Sequence, residues 1–341
     1  MATIKDVARL AGVSVSTVSI VLNTTMEERR VSPKTWLEVH NAMDALNYKP
    51  STAARKLRKN VKQTPTIGLF WPMNHQSYML GDTLTCIQNA FDRAYFKCSV
   101  VVYMYSLKHL SECTELVKGE SLEGAVICLP GTEDMEWLEN TDIKIPIVLF
   151  NRQVKKYNFV RSDNRAMGRR AARLLLDASC MSAALFYIKD PDRGIKRRLE
   201  DFIDEYSTKG TAGYKEYTFD NDLDFEAVIQ QTENMIKNGI PEAAVYFAGE
   251  QTAYTSIYYL MKKNFRVPED IKVVLVNVNL GSLFRYISPT LTLVTSAADQ
   301  MLTDCVQILV YQMKEANQLP IHKIYAPEIY YGETFPAIKT P

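Results

Sequence analysis

Histidine and cysteine are scarce in this sequence, and their spacing does not match the common metal sites. The chain of 341 residues has four histidines and six cysteines. The cysteines form no CxxC pair, and neither the cysteines nor the histidines have another metal-ligand spacing. A chain of this length can also bury a core without disulfides. We therefore expect no metal, no cofactor and reduced, mostly buried thiols at Cys86, Cys98, Cys113, Cys128, Cys180 and Cys305.

Long apolar runs are also lacking. No run approaches the roughly 18 residues that a membrane-spanning helix needs, and the N-terminal stretch MATIKDVARL has no apolar region behind its basic residues. These features predict a cytoplasmic protein. GxGxxG, phosphate-loop, GxSxG and HExxH motifs are absent too, so we expect no enzyme activity.

Charge is unevenly distributed along the chain. Residues 1–60 contain ten Lys and Arg against five Asp and Glu, whereas the remaining residues contain thirty against thirty-four. A chain of this length usually forms two or three compact units. A short basic unit before a mildly acidic body favours contacts with phosphates, although a solvated basic face would explain the charge alone.

Two short helices joined by a tight turn are predicted near the N-terminus. A capping-box pattern at residues 3–6 begins a helix over residues 4–11. Gly12 can adopt the left-handed conformation of a tight turn, and Ser14 can cap a second helix over residues 15–22. This arrangement is a helix-turn-helix, whose second helix enters the major groove of DNA.

A third helix completes a small predicted core. Ser32 and Pro33 supply a cap and a first-turn proline, and Val39, Met43 and Leu46 form its apolar stripe. A structural three-helix bundle without a DNA role has the same spacing. In the second helix, the residues expected to face inward are Val18, Val21 and Leu22. Its expected outer residues are Val15, Ser16, Ser19 and Ile20, with Thr17 available to a phosphate.

The exact string of this region resembles a known family. ATIKDVARLAGVSVSTVSIVLN (2–23) and VSPKTWLEVHNAMDALNYKPSTAARKLR (31–58) are similar to the headpiece and hinge of the lactose/galactose repressor (LacI/GalR) family. The resemblance implies that Val15, Ser16 and Ile20 read bases. The family usually has arginine at the position of Ile20. Isoleucine offers only apolar contact, for example to a thymine methyl group, so we expect a different operator base there.

The residues after Pro50 predict a short hinge helix. Ser51 can cap a helix over residues 52–58, which is too short to be stable alone in water. The resemblance implies that two such helices, one per subunit, pair in the minor groove and that Leu57 wedges between base steps. The expected minor-groove residues are Ala54, Leu57 and Arg58. A flexible linker over residues 51–65 is the alternative, and both states can occur.

From Thr66 onward, apolar runs alternate with helical patterns. This alternation predicts parallel strands in two doubly wound α/β halves with a ligand cleft between them. The first series has strands TIGLFW, SVVVYMY, GAVICL and PIVLFN, with helices near 78–96 and 108–119. The second series has strands AALFYI, YKEYTF, AAVYFA and KVVLVNV, with helices near 195–206, 223–238 and 251–263.

The family resemblance continues in this body through VRSDN (160–164), RLEDF (198–202), RVPEDI (266–271) and SPTLT (288–292). It implies a type I periplasmic-binding-protein-like fold, in which the chain crosses between two subdomains three times. We expect the crossings near 161–164, 289–293 and 322–326. The expected domains are a headpiece (1–50), a hinge and linker (51–65) and an effector-binding and dimerisation domain (66–341), divided into an N-subdomain (66–161 and 293–322) and a C-subdomain (162–290 and 325–341).

Eight residues are expected to line the cleft. The resemblance places Arg198 at a ligand-binding position, and arginine suits carboxylates, phosphates or vicinal hydroxyls. Phe219 aligns with an aromatic residue that packs on the ligand, and Glu250 aligns with an aspartate. For Tyr78, Met79 and Phe219, a surface or core role is an equally good explanation. The expected effector-binding residues are Tyr78, Met79, Asn151, Arg152, Asp163, Arg198, Phe219 and Glu250.

One departure from the family limits the choice of ligand. Where the family usually has a carboxylate, this chain has Asn277-Val278-Asn279. Val278 cannot accept hydrogen bonds from sugar hydroxyls. Either Asn277 or Asn279 replaces the carboxylate, or the effector is not a simple sugar. Some family members sense phosphorylated intermediates, nucleobases or a partner protein.

The combined features predict a homodimeric, effector-controlled transcriptional repressor that binds a near-palindromic operator in double-stranded DNA. The effector is expected to be a small molecule, for example a sugar or a sugar derivative. No membrane contact is expected, and the stretch after Glu333 has no leucine heptads of a tetramerisation coil. A solute-binding receptor is the alternative that the α/β body alone would permit.

Overall fold

The computed structural model describes most of the chain. The described residues are 3–23, 31–46, 64–73, 79–119, 121–210, 212–221, 223–278, 287–315 and 318–337. The chain forms two compact units, Met1–Thr64 and Pro65–Pro341. The predicted hinge residues Ala54, Leu57 and Arg58 and the predicted cleft residue Tyr78 lie outside the described residues.

The described residues of the N-terminal unit form three helices: α1 (Ile4–Leu10), α2 (Val15–Asn23) and α3 (Pro33–Ala45). The turn between α1 and α2 contains Gly12, whose φ of +64° favours glycine. The Ser14 side chain caps α2 by accepting a hydrogen bond from the backbone of Thr17 at 3.1 Å. These local features are those expected of a helix-turn-helix.

The core of this unit is formed by small apolar residues from all three helices. Val7, Val18 and Val39 are fully buried, and a fully buried valine contributes about 1.5–3 kcal/mol relative to an exposed one. The Ser32 side chain caps α3 by accepting a hydrogen bond from the Thr35 backbone at 3.1 Å. The partly buried side chains that pack against this core include Val15, Leu22, Trp36, Met43 and Leu46.

Six parallel strands form the first sheet of the second unit, in the order β2-β1-β3-β4-β5-β11. These strands are β1 (Thr66–Pro72), β2 (Ser99–Tyr105), β3 (Gly124–Cys128), β4 (Ile147–Phe150), β5 (Asn158–Ser162) and β11 (His322–Tyr325). The helices of this subdomain are α4 (Leu80–Arg93), α5 (Thr114–Lys118), α6 (Thr132–Asn140) and α11 (Ala298–Lys314). The predicted helix over 108–119 is instead a 3-10 turn (Leu110–Glu112) followed by α5.

Six strands also form the second sheet, in the order β7-β6-β8-β9-β10-β12. All neighbours are parallel except β10 and β12. These strands are β6 (Ser182–Ile188), β7 (Gly213–Phe219), β8 (Ala243–Phe247), β9 (Lys272–Val276), β10 (Thr292–Thr295) and β12 (Glu328–Tyr330). The helices of this subdomain are α7 (Asn164–Asp177), α8 (Arg193–Tyr206), α9 (Phe225–Lys237) and α10 (Glu250–Lys262).

The chain passes between the two sheets at three places. The first crossing leads from β5 to α7, and the third leads from β11 to β12. The second crossing was predicted at 289–293, and the structure corrects this position. Because β10 pairs with β9 in the second sheet, the chain leaves that sheet only after Thr295. Residues 293–295 thus belong with the second sheet and not with the first.

The central strands are buried because helices cover both faces of each sheet. Every residue of β3, β4 and β8 is buried. Cys128, Cys180 and Cys305 are buried, and the other three cysteines are partly buried. None of the helices in the described part of the chain is both long and apolar enough to cross a membrane.

Helices α7 and α8 approach each other unusually closely. A Cβ atom placed on Gly168 would lie 2.1 Å from the backbone oxygen of Arg198, which is far inside van der Waals contact. The backbones of the two helices therefore touch at this point. This contact holds the start of α7 beside the first turns of α8, where the polar residues described below meet.

Candidate functional site

The outer face of α2 is the candidate DNA-binding surface. Ser16 is exposed, and its hydroxyl oxygen lies 2.6 Å from that of Ser14. The Ile20 side chain is 36% exposed. Thr17 and Ser19 are half-buried, and the Thr17 hydroxyl oxygen lies 2.8 Å from that of Ser14. Val15 packs partly against the headpiece core, so it presents less surface than the sequence pattern suggested.

Charged side chains are absent from α2 itself, whose sequence is VSTVSIVLN. Base edges are read by bidentate donors and acceptors or by apolar contacts to thymine methyl groups. Apart from the carboxamide of Asn23 at its last position, the side chains on this helix can supply only single hydroxyl hydrogen bonds and apolar contacts. The chemistry of the surface therefore favours thymine-rich contacts over bidentate recognition of guanine.

Arg198, on the second turn of α8, is the centre of a polar network at the ends of the strands. Its Nε donates to Asn164 Oδ1 at 2.8 Å, and its Nη1 lies 3.2 Å from the carbonyl oxygen of Val276 and 3.3 Å from Asn277 Oδ1. The residue is only 4% exposed. Burial lowers the pKa of the guanidinium to about 10, while nearby Asp192 raises it, so Arg198 remains protonated at neutral pH.

Two asparagines of this network lie on different parts of the second subdomain. Asn164 is the first residue of α7, and Asn277 directly follows β9. Asn277 Oδ1 also accepts from the Val278 backbone at 2.8 Å. Asn277 therefore places an oxygen acceptor in the turn where the family usually has a carboxylate. Asn279 lies outside the described residues, and Val278 is buried in the core.

Arg152 extends from the end of β4 toward the second subdomain. Its Nη2 lies 2.8 Å from Asp192 Oδ2. Asp192 caps α8, because its Oδ1 accepts from the backbone of Gly194 at 2.6 Å and from that of Ile195 at 3.0 Å. Asp192 and Asn164 were not among the site residues predicted from the sequence. The one signal for Asp192 was its position before a helix, where aspartate is a common cap.

Asn151 and Asp163 have clear structural roles at the same edge. Asn151 has a φ of +56°, a conformation that asparagine tolerates better than most residues. Its backbone nitrogen donates to the Val160 carbonyl at 2.8 Å. Asp163, at the first crossing, caps α7 by accepting from the Ala166 backbone at 3.1 Å. These contacts shape the strand ends from which Arg152 and Asn164 extend.

The three other described residues that were expected in the cleft are buried or partly buried. Phe219 ends the edge strand β7 and is 3% exposed, packed in the hydrophobic core of the second subdomain. Glu250 is buried at the first position of α10. Met79 precedes α4 and is partly buried against a hydrophobic cluster to which both subdomains contribute. Phe219 thus makes the contacts of a core residue, and a core role was part of the alternative explanation for this residue.

These features define a class of protein. A helix-turn-helix unit precedes an α/β core of two subdomains, whose strand ends carry a buried arginine among polar side chains. Ligands of open α/β folds bind at the carboxyl ends of the strands. The class is that of two-domain DNA-binding proteins with a solute-binding core.

Comparison with known proteins identifies the family. Residues 3–51 match the model for bacterial regulatory proteins of the lacI family, and residues 172–335 match the periplasmic binding protein-like domain. The HTH-type transcriptional repressor PurR of Actinobacillus pleuropneumoniae is 25% identical over 318 residues, covering 92% of each chain. The ribose operon repressor of Haemophilus influenzae is 23% identical over 320 residues, covering 93% of this chain and 94% of its own.

Solved structures share the fold. The Lac repressor bound to ONPG in the repressed state matches with a TM-score of 0.66 at 23% identity, covering 98% of this chain and 99% of its own. A LacI family transcription regulator from Clostridium acetobutylicum matches with a TM-score of 0.68 at 22% identity, covering 78% of this chain and 99% of its own. The protein is a LacI-family helix-turn-helix transcriptional regulator, and the predicted family and fold class are confirmed.

Proposed function

We propose that the protein is a cytoplasmic repressor that binds a near-palindromic operator as a homodimer. Its affinity for the operator falls or rises when a small molecule occupies the cleft. The observation that carries this proposal is the sequence of units, a helix-turn-helix followed by a two-subdomain α/β core. A solved structure with the same fold is the Lac repressor dimer bound to operator and to the anti-inducer ONPF. Two identical headpieces require half-sites with matching two-fold symmetry.

The DNA contacts proposed for the headpiece are those of the outer face of α2. Val15, Ser16 and Ile20 read bases, and Thr17 and Ser19 lie beside them on the same helix. The hinge residues Ala54, Leu57 and Arg58 are proposed to enter the minor groove, on the basis of the sequence resemblance alone. With few donors on α2, specificity depends strongly on the deformability of the operator.

Arg198 is the residue that we propose to bind the effector. Three of its hydrogen bonds fix the guanidinium plane, and such a fixed, charged donor suits hydroxyl, carboxylate or phosphate oxygens. Asn151, Arg152 and Asp163 lie at the adjoining strand ends and complete the proposed cleft. Met79, Phe219 and Glu250 are proposed on the basis of the sequence resemblance alone.

A solute-binding receptor is the second candidate function, supported by the periplasmic binding protein-like domain. The helix-turn-helix unit favours the regulator, because a receptor has no use for a DNA-binding headpiece. We also infer that the protein is not an enzyme, since the matched relatives are repressors and the sequence has no catalytic motif.

A gel-shift titration tests the proposal. The protein should retain its own promoter DNA at much lower concentration than shuffled DNA of equal length, and log affinity should fall with log salt by about 0.9 per phosphate contact. Ser16→Ala should weaken binding to the promoter. Ser99→Ala, at an exposed position at the start of β2, should leave binding unchanged. Equal retention of both DNAs would refute the proposal.

The same titration identifies the effector class. Sugars, sugar phosphates and nucleobases are added one at a time, and an effector should shift the midpoint of DNA retention. Arg198→Lys should abolish that shift while leaving ligand-free DNA binding intact, because lysine keeps the charge but lacks the planar fork of arginine. A full response of the Arg198→Lys variant would contradict the role proposed for Arg198.

A further inference from the structure

The ion pair between Arg152 and Asp192 joins the two subdomains. Arg152 follows β4 of the first sheet, and Asp192 precedes α8 of the second subdomain, with 2.8 Å between Nη2 and Oδ2. The side chains are 12% and 35% exposed, respectively. Other ion pairs, such as those of Asp201 with Arg165 and of Asp304 with Lys323, join elements of a single subdomain.

Both partners are held in place on their own side before they pair. The Arg152 Nε donates to the Pro130 carbonyl at 3.2 Å, and Nη1 donates to the Asn151 carbonyl at 2.8 Å. Asp192 is held by the two backbone donors at the start of α8. Ordering two long side chains is the main cost of an exposed ion pair. Because that cost is already met here, the pair should contribute more than an ordinary surface pair.

The pair is charged at neutral pH. Burial raises the pKa of the Asp192 carboxyl, but the charge of Arg152 and the backbone donors of Ile195 and Gly194 outweigh burial, so the pKa is lowered overall. A lowered pKa means that folding favours the ionised carboxylate. The attraction across the cleft therefore persists at every pH at which the protein would bind DNA in a cell.

Asp192 also acts on the proposed effector residue. Its charge raises the pKa of Arg198, whereas the charge of Arg152 lowers it. A ligand that binds Arg198 thus enters a site whose field depends on whether Arg152 and Asp192 are paired. Any change in that pairing alters the affinity for ligand, and by linkage the ligand alters the pairing by the same factor.

We propose that Arg152 and Asp192 form a latch that holds the ligand-free cleft closed, and that effector binding acts on the subdomain arrangement through this latch. The proposal rests on the proposed effector cleft. Opening the cleft separates the two side chains. Closing it brings them together again, because each side chain is held in position by its own subdomain. The latch therefore sets the ligand-free balance between open and closed cores, which is the balance that an effector shifts.

Hydrogen–deuterium exchange on the full-length, ligand-free protein tests the latch. Arg152→Met removes the charged fork and leaves Asp192 as the cap of α8. Asp192→Asn removes the charge and keeps an oxygen that can accept the capping hydrogen bonds. In both variants, backbone amides at 129, 131, 193–198 and 276–278 should exchange about fivefold faster or more, while amides of the central strands keep their wild-type rates.

Two further variants separate a latch from general stabilisation. Arg152→Lys keeps the positive charge and should restore most of the protection at 193–198. Lys323→Met removes an ion pair inside the first subdomain, at 2.7 Å between Nζ and Asp304 Oδ2, and should not change exchange in the second subdomain.

Two results would overturn the latch: unchanged exchange at 193–198 in Arg152→Met, or equal acceleration throughout the core, which indicates global destabilisation. Neither measurement uses DNA or an effector. A protein that fails the gel shift can therefore still show the latch, and the two proposals can fail separately.

Discussion

At the scale of single residues, Ile20 has the largest expected effect on specificity. It is partly exposed on a helix without charged side chains, at a position where the family usually has arginine. Arginine donates two hydrogen bonds to guanine, and isoleucine can only contact apolar groups such as the thymine methyl. We therefore propose that this one side chain determines which base pair the headpiece prefers at one position of each half-site.

Ile20→Arg should therefore change the preferred operator base to guanine at that position. A bidentate contact contributes about 1–3 kcal/mol of discrimination, so selection from a randomised operator library should show the change clearly. Lys34→Arg, at an exposed position of α3, serves as a control for added arginine. If the selected site of Ile20→Arg equals that of the wild type, Ile20 does not contact a base.

Asp270 gives a prediction about pH. Its carboxyl accepts hydrogen bonds from the side chain and backbone of Arg266, which lower its pKa to about 2. Because the folded-state pKa is below the ordinary aspartate value of 3.8, the contact stabilises the fold above pH 3.8 and loses this effect as the pH falls toward 2. Carbon-13 NMR of the carboxyl measures the titration. In Arg266→Ala, the midpoint should rise toward 3.8, and an unchanged midpoint would argue against Arg266 as the cause.

At the scale of secondary structure elements, the contact between α7 and α8 controls the site. Asn164 begins α7 and Arg198 lies on α8, so their hydrogen bond requires close helices. Gly168 allows this approach, since any side chain there would overlap the backbone of α8. The packing of two helices thus determines the orientation of the arginine proposed to bind the effector.

Gly168→Ala should force the two helices apart. Overpacking of this kind costs about 1–3 kcal/mol, which urea unfolding followed by circular dichroism can measure. Gly81→Ala is the matched control, because Gly81 is also helical and has open space around its Cβ position. That control should be neutral or stabilising by up to about 1 kcal/mol. Equal stability of both variants would show that α7 can move without cost.

The elements differ in how far the sequence predicted them. The caps at Ser14 and Ser32 and the turn at Gly12 were predicted correctly, because each depends on neighbours within three residues. Most central strands also followed from the pattern of apolar runs, whereas the position of the first crossing came from the family resemblance. The sheet that β10 joins was predicted wrongly, because pairing partners distant in sequence leave no periodic signal within the strand itself.

At the scale of the whole molecule, the class of protein could be predicted from the sequence. The contacts between the residues of the site became known only from the structure. Arg198 was expected in the cleft because of a family motif. Asp192 was missed because an aspartate before a helix predicts a cap, and its second contact, with Arg152, depends on how two subdomains meet. Phe219 was proposed by alignment, and the structure packs it among core residues.

The order in which the strands enter the sheets has a consequence for protein synthesis. The first sheet receives its last strand at His322–Tyr325 and the second at Glu328–Tyr330. Neither half of the core can finish folding until the ribosome has released this final stretch. The headpiece, which is small and local in its contacts, can fold long before. A nascent regulator therefore carries a formed DNA-binding surface before it has any means of sensing an effector.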